Sequence, residues 1–132
     1  MTIGIAPTTG FQPVDNDWLN GLSGGHNFTF QNGLTAAGSS SQATALQLAD
    51  RIAYFSIDTV GSNTGVALPA ALAGVEISIY NNGAQTLTIY PSIANNPVTA
   101  AQDTINNSTS TTATTHTGAY FFCAKNGVWC AK

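Results

Sequence analysis

Apolar and polar residues alternate most clearly between Gly65 and Pro91, and this stretch organises the rest of the chain. Val75, Ile77 and Ile79 interleave with Glu76 and Ser78, and Leu87 and Ile89 interleave with Thr86, Thr88 and Tyr90. A period of two describes a strand with one buried face and one wet or partnered face. Between the two runs, Asn81-Asn82-Gly83 tolerates positive φ, so the pattern predicts a hairpin. A loop over Asn82-Gly83 alone would set Ile79 beside Thr86. A loop extended to Ala84 sets Ile79 beside Leu87 and Ile77 beside Ile89, which keeps the apolar set on one face. Leu68-Pro69 ends a short strand before this unit, and Pro91 stops it, having no N–H to give a ladder.

The same pattern predicts a strand over Tyr54 to Val60, with Phe55 and Ile57 on one face. His26 to Leu34 reads as a short strand turning at Asn32-Gly33, and Gln42 to Ile52 as a short helix. Ser108 to Thr117, nearly all Ser and Thr, fits either a polar edge strand or a mobile loop. In Ala119 to Ala131, Asn126-Gly127 signals a second hairpin. A two-residue loop there pairs Lys125 with Val128 and Cys123 with Cys130. Phe122 and Trp129 then share one face, Phe121 and Val128 the other, and both faces are apolar. Such a hairpin belongs between two sheets or between the domain and a neighbouring subunit. Residues 1–25 carry Pro and Gly throughout without periodicity, and read as an extended arm. Its Phe11, Val14, Trp18 and Leu19 either fold back on the domain or anchor on another subunit. The expected fold is all-β: a single antiparallel β-sandwich or jelly-roll-like domain over residues 26–132 behind that arm.

Composition sharpens this picture. Only 7% of residues are charged, so Thr, Ser, Asn and Gln must supply the polar surface, which packs against neighbours without desolvating ions. Arg51, Lys125 and Lys132 are the only strong bases in a chain of net charge −3, too few to meet a phosphate backbone. The opening Met-Thr-Ile-Gly-Ile-Ala-Pro does not read as a signal peptide, and no apolar run has the length of a membrane span. Assembly in the cytoplasm is therefore expected.

Candidate chemistry is sparse. Cys123 and Cys130, if opposite, would suit a disulfide, or else two buried thiols in a reducing compartment. His116 lies an odd number of residues before Cys123, pointing to the other face of an unbroken strand, so no zinc site is expected. Gly21-Leu22-Ser23-Gly24-Gly25 matches a nucleophile-elbow pattern but lacks a buried strand before it, and reads as a flexible turn. Asp15 and Asp17 lack the glycine and glutamate of a calcium loop. The carboxylates are scattered singly, with no acid–base pair. Neither an enzyme nor a cofactor is expected.

The succession Asn32-Gly-Leu-Thr-Ala-Ala-Gly, Gln42-Ala-Thr-Ala-Leu-Gln-Leu, Gly65-Val-Ala-Leu-Pro-Ala-Ala, Asn81 to Thr88, Ile89-Tyr-Pro-Ser, Asp103-Thr-Ile-Asn and Gly127-Val-Trp resembles small tailed-bacteriophage virion proteins of the capsid decoration, or cement, type. It covers roughly residues 32–132. Ala94-Asn95-Asn96-Pro97 departs from it where a glycine is expected. The resemblance implies a structural protein, as a homotrimer on the outside of a phage head, that bridges major capsid protein subunits. The arm residues Phe11, Val14, Trp18 and Leu19 would then contact the capsid, and Phe121, Phe122, Val128 and Trp129 would form a subunit interface or core. Similar segments in phage tail fibres imply an alternative, a glycan-recognising receptor-binding module. Tyr80, Tyr90, Tyr120 and Trp129 would be its stacking surfaces.

Overall fold

The computed structural model describes residues 29–132. The strands, in chain order, are β1 Phe30–Thr35, β2 Leu46–Gln47, β3 Tyr54–Thr59, β4 Gly65–Ala67, β5 Glu76–Asn81, β6 Leu87–Tyr90, β7 Thr104–Ile105, β8 Thr111–Ala113, β9 Thr117–Lys125 and β10 Val128–Ala131. They form a six-stranded sheet, β1-β3-β5-β9-β10-β7, and a four-stranded sheet, β2-β4-β6-β8. The domain is thus all-β, as the alternation requires, but its strand pairing is not that of an antiparallel sandwich or jelly roll. β1, β3 and β5 run parallel, as do β2, β4 and β6. The chain places one strand in each sheet, steps on and repeats, building a solenoid-like stack. Phe30 lies beside Tyr54 and Tyr54 beside Ser78, a step of 24 residues each time.

The stack explains why the first expected hairpin is absent. β5 and β6 are consecutive in sequence yet lie in different sheets, so Ile77 and Ile79 meet Leu87 and Ile89 across the core instead of edge to edge. Alternation fixes which face is buried, not which edge is paired. Both arrangements bury the same four residues, and in the arch both edges of each strand are taken, by a parallel neighbour on one side (β3 or β4) and an antiparallel one on the other (β9 or β8). Asn81, fully buried, holds the arch: its Nδ2 donates to Gln85 O (2.8 Å) and Ala113 O (2.9 Å), and its Oδ1 accepts from Gly83 N (2.9 Å). Glycine is required at position 83, where a Cβ would sit 2.6 Å from the Val60 Cβ of the preceding arch.

After the third coil the chain reverses. β8 pairs antiparallel with β6 and β9 with β5, ending the run of parallel coils. The hydroxyl run is therefore an edge strand, β8, with exposed residues after it. The β9–β10 hairpin forms at Asn126-Gly127 with Lys125 opposite Val128, but a bulge follows and Cys130 faces Phe122 rather than Cys123. The extra residue turns Phe121, Cys123 and Trp129 inward and Phe122 and Cys130 outward, against the expected grouping. Trp129 is fully buried, edge-on to Phe121 at 6.5 Å, and donates from Nε1 to Pro69 O (3.1 Å).

Two other expectations change. Gln42 to Ile52 holds only a 3-10 turn, Gln42–Thr44, and the two-residue β2; Arg51 at φ 64° is incompatible with a helix through it. Asn32-Gly33 is a bulge inside β1, with Gly33 at φ 69°, rather than a turn after it. The strand from Tyr54 with Phe55 and Ile57 buried, and the stop at Pro91, stand as expected.

Candidate functional site

The outer face of the six-stranded sheet carries large apolar side chains where a wet face would normally carry polar ones. The register sets Phe30, Tyr54, Ser78 and Tyr120 in one row across four strands. The next row holds Ser56, Tyr80 and Gly118. Small residues therefore alternate with rings. Ser56, Ser78 and Gly118 form a floor, and Phe30, Tyr54, Tyr80 and Tyr120 stand around it as walls of an open groove of about 560 Å³. Phe30 is 67% exposed and Tyr80 42%. Each results from the period-two pleat, which sends the odd residues of β5 inward and the even ones out.

The groove's electrostatics are simple. Lys132 is the only charged side chain lining it among the described residues, tied to the sheet by its backbone N donating to Tyr120 O (3.0 Å). At the neighbouring rim, the Tyr120 hydroxyl donates to Glu76 Oε1 at 2.5 Å. That bond holds the phenol above its ordinary pKa, with smaller contributions from burial and from the Glu76 charge. Tyr120 also stacks on Phe122 at 5.9 Å. Beyond the second row, Asp58 accepts from Ser56 Oγ (2.5 Å), Asn82 Nδ2 (3.3 Å) and Gly33 N (3.0 Å), bonds that hold its carboxyl below the usual value. This cluster pins the bulge of β1 to its neighbours.

The open end of the stack is the second notable surface. β1 and β2 are edge strands, and nothing among the described residues pairs with their outer sides. Neither strand contains a charged residue or a proline, the usual protections of an exposed edge. Thr29 enters β1 here, its carbonyl accepting from Ala53 N and Tyr54 N (3.1 Å each).

Of the residues singled out from sequence, Phe11, Val14, Trp18 and Leu19 lie outside the described residues, as do the Gly21–Gly25 turn and His26. Phe121 and Trp129 are core, whereas Phe122 and Val128 are only part-buried. Cys123 and Cys130 are free thiols on opposite faces of the hairpin. Burial pushes the Cys123 thiol up, which makes it a poor nucleophile. Tyr80 and Tyr120 share the groove, but Tyr90 is in the other sheet and Trp129 is inaccessible, so the four aromatics do not form one stacking surface. Sequence reasoning missed Phe30 and Tyr54 as wall residues. Their 24-residue spacing, continued at Ser78, was the available signal. Among the described residues no group of three or more His, Cys, Asp or Glu side chains is placed to hold a metal ion.

One deeper cluster is structural. Asp103 and Asn96 are both buried; the Asp103 carboxylate accepts from Ala71 N and Asn96 Nδ2 (2.8 Å each), and Asn96 Nδ2 also donates to Ala71 O (2.9 Å). Each polar atom is matched within the fold, so the pair clamps two loops instead of awaiting a ligand. Comparison with family models, with curated proteins and with solved structures finds no match.

Proposed function

We propose that the chain is a structural virion protein that decorates the outside of a phage head and stabilises contacts between major capsid subunits. The observation that supports this most is the open, uncharged end of the stack. Two neighbouring edge strands, β1 and β2, with no charge, no proline and no outer partner among the described residues, suit a module that docks by one end onto other protein. The charge-poor composition agrees with that role, since such a surface can be buried repeatedly without stranding ions. In this reading the protein is assembled in the host cytoplasm as a homotrimer, and the same end meets both its copies and the shell.

The test uses heads assembled without this protein. Adding the purified full-length chain should load hundreds of copies per head and raise the temperature at which the heads release DNA. Asn32→Lys with Thr35→Lys, two exposed positions on β1, should cut loading strongly while the circular dichroism spectrum stays unchanged. A head that takes up no protein at saturating concentration refutes the reading, as does a variant that loads like the parent.

A further inference from the structure

Among the described residues Asn-Gly occurs three times, at Asn32-Gly33, Asn82-Gly83 and Asn126-Gly127; a fourth, Asn20-Gly21, lies outside them. The dipeptide has a chemistry of its own. A glycine nitrogen, with no side chain beside it, can attack the asparagine Cγ, one reason asparagine is thermolabile. The N–Cγ bond forms, the Cγ–Nδ2 bond breaks, and ammonia leaves with the proton of the glycine N–H. Water then opens the imide at either carbonyl, giving aspartate or isoaspartate. The step needs two freedoms: a glycine N–H released from its acceptor, and an asparagine side chain able to turn towards it.

The fold withholds these freedoms unequally. At Asn126, the side-chain Oδ1 accepts from Ala73 N (2.8 Å) and Gly127 N donates to Ala71 O (2.9 Å), so both partners are tied. At Asn82, the nucleophile is the buried Gly83 N, which donates to Oδ1 of the fully buried Asn81 (2.9 Å) inside the arch. Asn32 differs. The register of β1 on β3 passes from Gln31 beside Phe55 to Leu34 beside Ile57, which leaves Asn32 and Gly33 outside the ladder. Among the described residues no hydrogen bond holds the Asn32 side chain. Gly33 N is restrained by one contact, to Asp58 Oδ2 (3.0 Å). A buried acceptor releases its donor only when the surrounding structure opens, whereas an exposed carboxylate can exchange it for water. We propose that Asn32 is a deamidation site of the folded protein, and that the Asp58 carboxylate, by holding Gly33 N, is the group that restrains it. The product puts a negative charge on an edge strand that has none, and isoaspartate also lengthens the backbone of the bulge by one atom. The inference concerns the free protein and does not depend on whether that protein binds a head.

Incubation of the folded full-length chain at neutral pH, followed by peptide mapping with mass spectrometry, reads each site separately. In the parent, Asn32 should convert several-fold faster than Asn82 and Asn126, while in urea the three should react at similar rates. Asn32 reacting no faster than Asn126 in the folded parent overturns the proposal, and this comparison needs no variant. Asp58→Ala frees Gly33 N and should speed conversion of Asn32 several-fold, with Asn126 unchanged as the internal control. An unchanged rate at Asn32 overturns the proposal. So does an equal rise at Asn32 and Asn126, since Asp58 would then act through general stability. Asp58→Asn keeps an acceptor for Gly33 N and should react at Asn32 more slowly than Asp58→Ala; an equal or faster rate overturns the proposal.

Discussion

Replacing Asn81 with alanine tests the arch against the hairpin that the sequence suggests. In a hairpin, Asn81 would be a turn residue exposed to water, and its loss would cost a few tenths of a kcal/mol. In the arch it is fully buried and makes three hydrogen bonds, to Gln85 O, Ala113 O and Gly83 N. Removing the side chain deletes all three and strips their partners in a site that excludes water. At about 1 kcal/mol for each net hydrogen bond, with a further penalty for any group left buried and unpaired, the loss is about 3–4 kcal/mol. For a domain of this size that lowers the melting temperature by roughly 11–18 °C. The control is its neighbour Asn82, exposed and bonded only weakly to Asp58 at 3.3 Å, where alanine should cost less than about 1 kcal/mol. Thermal and urea melts followed by circular dichroism compare the two. If Asn81→Ala is no more damaging than Asn82→Ala, the arch is wrong and the two strands pair edge to edge.

Asp103→Ala removes the acceptor of Ala71 N and Asn96 Nδ2, and should cost about 3 kcal/mol in urea melts, with Asp103→Asn milder because it keeps an acceptor. Gly83→Ala places a Cβ 2.6 Å from Val60 Cβ and should destabilise by about 1–3 kcal/mol, measured in the same way. Oxidation of the folded protein should leave Cys123 and Cys130 unlinked, seen as two alkylatable thiols after unfolding in reagent, because they point to opposite faces. Glu76→Gln should lower the Tyr120 phenol pKa, read by absorbance titration of the parent and variant. Because the folded value is raised, any stability from that bond is complete below the ordinary phenol pKa near 10 and fades as pH rises through the folded value.

Much of this fold was legible in short-range pattern. Phe55, Ile57, Ile77, Ile79, Leu87 and Ile89 were read as core positions and are buried, because burial follows from a period of two whatever the partner strand. Pairing was not legible in the same way. Asn81-Asn82-Gly83 suits a hairpin turn and an arch equally well until the residues above and below it are known, and Val60 and Ala113 lie far off in sequence. The register of the last hairpin failed for a smaller reason, one extra residue between Phe122 and Lys125, which put the two cysteines on opposite faces. The aromatic face was hidden because its rings come from four separate strands. No single window contains Phe30, Tyr54, Tyr80 and Tyr120; the 24-residue step sets Phe30, Tyr54 and Ser78 side by side, and Tyr80 joins the patch from the next row.

That step makes the domain extensible. A coil occupying residues 54–77 begins and ends at equivalent places in the stack, so a tandem copy of it would offer each neighbour the surface it already meets. Each copy would lengthen the molecule by one strand spacing, about 4.8 Å, and leave both termini chemically unaltered. The reversed β8–β9 turn then acts as a terminator written into the chain, the point beyond which no further parallel coil is added among the described residues.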